Sequence, residues 1–352
     1  MAVTGDLKTD RRVLRHCATL REAGCEVVTL GRDDLGVRHI RGWMFYAEYN
    51  LRLWRRMRQE RPDVVWANDV DTLLGAWLGH GRGKLVLDAH ELFSEVPEIQ
   101  HKPFVRWVWR SVEQTLMPKC DACLTVCQSI ADHYHRKHGV EMAVVRNLPS
   151  APRGGTAAAA DAAGGGRDSK MLLYQGNVNL GRGVDWAIDA LEWLPECRLV
   201  VAGGGDLLDR MRAYAAGKPW AERIVFLGRM APDELERLTP RAGVGLVMLE
   251  DMGLSYHYAL PNRIGDFVQA GVPIVVSDLP EMAAVVRRYG VGEVIERQHG
   301  ADGRANARAL AMAVEKVMAR SWSDDDFAEA RKDMDWNKEK QKLTNILETI
   351  KN

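Results

Sequence analysis

Ser255–Asp278 reads SYHYALPNRIGDFVQAGVPIVVSD, a loop, a helix and a buried strand in quick succession. Pro261 suits the first helical position, where its missing N–H costs nothing and its fixed φ helps. Ile264, Phe267 and Val268 stand at i, i+3 and i+4, which draws one apolar stripe along that helix. Gly271 can supply the left-handed residue after the helix, and VPIVVSD then reads as a fully buried parallel strand. Such a helix turns its unpaired N–H groups and the positive end of its dipole toward the ALPN loop. Arg263 and Asp266 share a face one turn in. The expectation is that this helix start holds a phosphorylated ligand.

The rest of the chain fits around such an element. At 352 residues it exceeds what one hydrophobic core serves, so two domains are expected. Hydrophobic content of 46% and charged content of 27% are those of a soluble globular protein, and the formal net charge is zero. Nothing global argues for nucleic acid, and none is expected as a partner. No apolar run approaches the ~20 residues that span a bilayer. The start, MAVTGDLKTDRR, is too polar for a signal peptide, which makes a cytoplasmic location the expectation. Three of the six cysteines form CDACLTVC, near His133, His135 and His138. Strand composition for ACLTVC and an N-cap at Ser129 explain that cluster better than a zinc site does.

In chain order, Ala2–Thr4 can only be a very short strand, and a start further upstream would lengthen it. Thr9 or Asp10 caps a helix with Val13, Leu14, Cys17 and Leu20 on one face, and CEVVTLG is the next strand. Strands and helices then alternate to residue 147, as in one α/β domain with a mainly parallel sheet. Residues 151–169 are an Ala/Gly-rich linker. A second α/β series occupies 170–335, and a last helix over about 336–352 packs back on the first domain, residues 1–150. Ligands of open α/β sheets bind at the carboxyl ends of strands, so a cleft between the domains is the expected site.

Within the second series, four strand-end turns offer backbone N–H groups or positive charge. QGNVNLGRG sets Arg182 between two glycines before a helix, which suits a diphosphate. AGGGD carries Gly204, FLGRM carries Arg229, and ALPNRIGDF is the helix start already described. One such turn usually only closes a loop, but four at matching strand ends are harder to dismiss.

On these motifs, together with TGDLKTDRRVLRHCATLREAGCEVV, PDVVWANDVDTLL, LDAHELFSEVPE, VVRNLP and DWNKEKQKL, the chain resembles the GT-B nucleotide-sugar glycosyltransferases. The likeness is to the family 4 (group 1) retaining type and covers nearly the whole length. It implies two doubly wound Rossmann-like domains facing a cleft, with the donor on the C-terminal domain and the acceptor on the N-terminal one. The family's basic pair grips the donor diphosphate; its Lys position falls on Arg182 and its Arg position on Asn177. The second acid of the Glu-x7-Glu motif, which bonds ribose hydroxyls, falls on Asp266, and the first falls on Tyr258. The resemblance further implies donor contacts at Leu260, Pro261, Asn262 and Arg263 through backbone N–H groups from about Asn262 to Ile264, and at Gly5 and Asp6 in the first loop. His90 matches a histidine beside the transferring sugar, and Glu91 and Glu95 are assigned to the acceptor side. A plain ion pair with Arg263 is the alternative reading of Asp266.

The implied reaction moves a sugar from a nucleotide-diphosphate donor to a glycan or lipid-linked acceptor with retention, in cell-envelope polysaccharide or glycoconjugate synthesis. Arg182 and helix N-termini would stabilise the leaving diphosphate, with no metal and no cofactor. Asp69-Val-Asp71 spells a D-x-D metal motif, but it ends a first-domain strand where helix capping explains an aspartate. The interleaved Trp, Tyr, Phe and Arg of residues 43–61, with FVRWVWRS at 104–111, suggest a membrane-surface patch and hence a peripheral location. The competing readings are a sugar-nucleotide epimerase of similar build and an inactive donor-binding subunit. A dehydrogenase fits less well, since AGGGD lacks the later glycine of the dinucleotide fingerprint.

Overall fold

The computed structural model describes residues 1–5, 7, 10–150, 166–296 and 303–351. Asp6 and most of the Ala/Gly linker lie outside the described residues. The chain forms two compact units. The first comprises Met1–Asn147, Gly253–Tyr258 and Asn337–Asn352; the second comprises Leu148–Met252 and Ala259–Trp336.

Parallel pairing builds the first unit's sheet from β1 (Val64–Asn68), β2 (Lys84–Ala89), β3 (Ala122–Thr125) and β4 (Ala143–Val144), in that order. The apolar runs of β1 and β2 are buried at nearly every position, as expected of strands covered on both faces. Asp10 caps the helix Arg11–Glu22 by accepting from the N–H groups of Arg12 and Val13, each at 3.1 Å. Two expectations need correction here. The strand expected over CEVVTLG is reduced to a single bridge, because only Met1–Val3 lies between Leu30 and Ala67 to pair with them. Leu14 is half-exposed, since Arg12 and His16 occupy the buried face of that helix instead.

The second unit's sheet has six parallel strands: β5 (Asp168–Gln175), β6 (Arg198–Ala202), β7 (Ile224–Gly228), β8 (Ala242–Val247), β9 (Ile274–Ser277) and β10 (Gly292–Ile295). Their spatial order is β10-β9-β8-β5-β6-β7. The core packs Leu172, Leu199, Val201, Val244, Leu246 and Val275 against the helices Val184–Ala190 and Gly303–Ala319. β5 starts at Asp168, inside the span read as linker. From β5 the chain winds outward through β6 and β7, then returns to β8 on the other side of β5. That reversal is a topological switch point, where the turns after β5 and β8 diverge and leave room for a ligand.

Two helices close the described chain, Asp325–Asp333 and Trp336–Lys351, the second where the last helix was expected. Gln269 Nε2 closes the first by donating to the carbonyls of Arg331 and Met334 at 3.0 and 2.9 Å. Trp336 then donates its N–H to Pro149 O at 3.0 Å. The second helix is anchored in the first unit by Glu339, fully buried, whose carboxylate accepts from Arg146 N and Nε at 2.9 Å each.

Candidate functional site

Because every strand of the second sheet runs the same way, the turns after β5, β6, β7 and β8 share one edge. The loop after β5 is sewn to the glycine run after β6. Gly176 N–H donates to Ala202 O at 3.0 Å, and Val178 N–H donates to Gly204 O at 2.7 Å. A Cβ at Gly203 would lie 1.7 Å from Gly176 O, and one at Gly205 would lie 2.5 Å from Val178 O. Gly203 and Gly205 are therefore the glycines this approach of backbone on backbone requires. Gly204 has Arg229 beside it at ordinary contact distance, and the Arg229 side chain is exposed. Tyr174 OH donates to Asn177 O at 2.7 Å, leaving the Asn177 side chain exposed at the tip of the turn. Arg182 stands half-buried between Gly181 (φ 71°) and Gly183 (φ 65°), and Gly181 O accepts from Glu250 N–H at 2.8 Å. One hydrogen bond thus joins the loops after β5 and β8 on either side of the switch point.

Arg263 reinforces that junction. Its guanidinium donates to Gln175 O at 2.9 Å and Met248 O at 3.3 Å, and lies 4.8 Å from the Tyr174 ring centroid. A Cβ at Gly176 (φ 131°) would meet Arg263 Nη1 at 2.6 Å. The helix itself begins at Arg263, two residues after Pro261, so Pro261 precedes the helix instead of opening it. Ile264 N–H donates to Pro261 O and Gly265 N–H to Asn262 O, each at 3.0 Å. Ile264 N–H, expected on the donor, is therefore already used within this tight first turn. Leu260 and Pro261 are half-buried and Asn262 is exposed. Asp266 is half-buried, and Gln175 Nε2 approaches its Oδ2 at 3.4 Å while Gln175 Oε1 accepts from Thr239 Oγ1 at 2.9 Å. Sequence reasoning missed Gln175; its signal is an amide at the end of an otherwise apolar strand.

In the first unit, His90 follows β2 and is held by two carboxylates. Its N–H donates to Asp69 Oδ1 at 2.7 Å, its Nδ1 lies 3.1 Å from Asp69 Oδ2, and its Nε2 lies 3.4 Å from Asp88 Oδ2. The last is an ion-pair distance more than a well-formed hydrogen bond. Both ring nitrogens therefore face carboxylates in this conformation. Burial opposes the ring's charge, but Asp69 and Asp88 together outweigh it and hold His90 well above the usual histidine range. Asp88 is fully buried and takes Arg12 on both oxygens, at 2.5 and 2.9 Å. Burial raises its pKa, yet Arg12 and then His90 hold it well below the carboxylate range. His16, buried and next to Arg12, is pushed down to about 3 and is neutral. Asp71 goes the other way: burial, then the neighbouring Asp69, raises it to about 7, while Thr4 Oγ1 donates to it at 2.5 Å.

The D-x-D aspartates are thus accounted for, but not as caps. Asp69 makes no side-chain bond to the helix Val70–Gly79. Glu91 is half-buried and its Oε2 lies 3.5 Å from Ser255 Oγ. Glu95 is a correction: it is buried, with its carboxylate taken by Arg106 and Arg110, so it fastens a loop to the helix Pro103–Leu116 and is not presented to an acceptor. Tyr258 packs with the first unit, its carbonyl accepting from Cys127 Sγ at 3.2 Å and its ring 6.3 Å from that of His133. It belongs with His90's unit and not with Asp266's. Gly5 is exposed, and a Cβ there would meet only Val3, at 3.9 Å.

Two family models match the chain: Glycosyltransferase Family 4 over residues 9–149, and Glycosyl transferases group 1 over residues 169–320. A phosphatidyl-myo-inositol mannosyltransferase of Mycobacterium leprae is 27% identical over 212 residues, 58% of this chain and 51% of that one. Matched stretches span between 30% and 51% of the curated relatives' lengths. Sucrose-phosphate synthase from Thermosynechococcus elongatus superposes with a TM-score of 0.76 at 15% identity, covering 99% of this chain and 94% of that one. The Anabaena protein HepE, solved with UDP-glucose, does so at 0.70 and 12% identity, covering 99% and 98%. These likenesses fix the fold as GT-B.

Proposed function

We infer the function from the premise that the chain belongs to the group 1, family 4 type of glycosyltransferase. Our reading is a retaining enzyme that moves a sugar from a nucleotide-diphosphate donor to a hydroxyl of a glycan or lipid-linked acceptor, in the making of cell-envelope polysaccharide or glycoconjugate. One observation carries it: the turns after β5, β6, β7 and β8 meet at one edge of the second sheet, with Arg182 and Arg229 among them. A diphosphate suits that edge, and in this reading Arg182 holds it while Asp266, steadied by Gln175, takes the ribose. Asn177 adds neutral hydrogen bonds where relatives carry a cation, so Arg182 bears more of the load.

No carboxylate is assigned as a nucleophile, and a front-face route follows, in which the departing diphosphate helps to deprotonate the acceptor. Metal independence is part of the proposal, since Asp69 and Asp71 are engaged with His90 and Thr4. A lipid-linked acceptor is supported by the first unit's exposed Trp43, Phe104 and Trp107, at 77, 72 and 63% of full exposure, near arginine-rich sequence. Flotation with anionic liposomes that leaves all of the protein in the soluble fraction would remove that part.

The main test is a thermal-shift screen of UDP, GDP, ADP and CMP, followed by their sugars, and then a transfer assay. Stabilisation by one nucleoside diphosphate and release of that diphosphate only when acceptor is present support the reading. Isomerisation of the sugar nucleotide without acceptor would make the protein an epimerase. Stabilisation by NAD alone would overturn the assignment.

A further inference from the structure

Asp69 adopts φ 63° and ψ 164°, a conformation that side chains other than glycine's rarely take. Strain of this kind persists only where the surroundings repay it. The repayment is not a helix cap, because the carboxylate turns away from the helix that follows. It goes to His90, whose backbone N–H and ring Nδ1 are bracketed by the two oxygens, at 2.7 and 3.1 Å. On the opposite side of the ring, Asp88 Oδ2 stands 3.4 Å from Nε2. A neutral imidazole has one N–H and can satisfy one of these carboxylates; only the imidazolium serves both.

Charge accounting agrees. The ionisable groups coupled to the ring are Asp69 and Asp88, then His16 from the helix Arg11–Glu22 and Asp71 from the turn after β1. Arg12 acts on Asp88 and His16, and Glu91 on Asp71. His16 is neutral, and Asp71, raised to about 7, is largely uncharged below that pH. Arg12 balances Asp88. Asp69 is then left to be balanced by His90.

We propose that Asp69 is a positioning residue for His90, and that His90 works as a fixed imidazolium and not as a proton acceptor. The proposal rests on the glycosyltransferase reading only for what that charge acts on, the negative charge that develops on the departing diphosphate. A ring with both nitrogens engaged by carboxylates cannot collect the acceptor's proton, so that task falls to the leaving diphosphate. The strained turn after β1 exists, in this view, to aim one carboxylate.

The test uses Asp69→Asn, which keeps the shape and removes the charge, and Asp69→Gly, which also removes the strain. The readouts are the His90 ring C–H resonance as a function of pH, assigned with His90→Gln, together with kcat, KM and Tm. In the wild type, His90 should titrate well above the usual histidine range. In Asp69→Asn it should titrate between about pH 6 and 8, near the free histidine value. There kcat should drop about 10- to 100-fold and gain a descending limb in that range, with donor KM within about twofold. Asp69→Gly should lose kcat likewise while keeping or raising Tm, which a merely structural aspartate would not do. A wild-type His90 that titrates near 6.5, or an Asp69→Asn enzyme with kcat within about twofold of wild type, would overturn the proposal. If the wild type transfers no sugar at all, the functional reading fails, yet the His90 titration still decides the role of Asp69.

Discussion

Replacing Asp71 by Asn should change how stability depends on pH more than it changes stability itself. The carboxyl is 5% exposed, accepts from Thr4 Oγ1 at 2.5 Å, and is raised to about 7 by burial and by Asp69. In the unfolded chain it titrates at about 3.9. Between those values the folded protein keeps a proton that the unfolded chain has released. Stability from this group is therefore complete below pH ~4 and is lost as pH rises through 7. Three pKa units at 1.36 kcal/mol each set the total at about 4 kcal/mol, of which about 2–3 kcal/mol falls between pH 5 and pH 8. Asparagine has no such dependence. Its amide brings a fixed hydrogen-bond cost of about 1–3 kcal/mol, which is the same at both pH values and cancels in the comparison. His16 and His90 are common to both proteins and cancel likewise. Urea unfolding of wild type and Asp71→Asn at pH 5 and pH 8 measures the double difference, which should move toward the variant by about 2–3 kcal/mol. A gap that is constant within ~0.5 kcal/mol, or that moves toward the wild type, would refute the assignment of a protonated Asp71.

Arg182→Ala and Asp266→Ala should each weaken binding of the preferred nucleoside diphosphate by about tenfold or more, since a hydrogen bond to a charged group contributes about 1.5–3 kcal/mol; calorimetric titration with unchanged affinity in both variants would sink the donor site. Gly203→Ala should abolish that binding and lower Tm, because its Cβ would fall 1.7 Å from Gly176 O and neither backbone can yield cheaply. Glu339→Ala should destabilise the first unit by about 1–3 kcal/mol in urea, as it removes a buried carboxylate that accepts from Arg146 N and Nε; a loss under ~0.5 kcal/mol would mean that the last helix is held by its apolar face alone. On the proposed metal-free route, excess EDTA should leave transfer unchanged, and loss of activity restored by Mg2+ would reverse that part.

Much of the fold was legible because the period of the apolar residues carries it. VPIVVSD, KLVLDA and MLLYQG are buried on both faces, and strands of that kind announce themselves. The helix after ALPN was legible in existence but not in its first residue, because Pro261 fits before a helix as well as within its first turn. The edge of the second sheet was legible from its glycines and arginines, although the glycines that matter sterically are Gly203 and Gly205 and not Gly204. Less could be read of the first unit's charges. Arg12, His16, Asp69 and Asp88 are far apart in sequence, and their meeting depends on how the strand ends are brought together. Glu95 failed for the same reason: its partners Arg106 and Arg110 sit on the following helix, and only their placement shows that the carboxylate is spent.

The aspartates at 69 and 71 show how identical letters can lead to opposite chemistry. A pair that carries a divalent ion needs both carboxylates ionised and aimed at one open point. Here Asp69 is turned by its backbone onto His90, and Asp71 is raised to about 7 and tied to Thr4. One is already paired and the other is largely uncharged below pH 7, and the metal-free route proposed above rests on that. The first unit then contributes two charge pairs, Arg12 with Asp88 and His90 with Asp69, while the second contributes backbone turns and exposed or half-buried arginines at a sheet edge. In the proposed reaction, negative charge develops on the diphosphate and positive charge on the sugar ring. On the proposed reading the diphosphate falls to Arg182's unit. In the same proposal His90, fixed by Asp69, is a constant positive charge that favours the diphosphate's developing negative charge, and not a group that exchanges protons in each turnover.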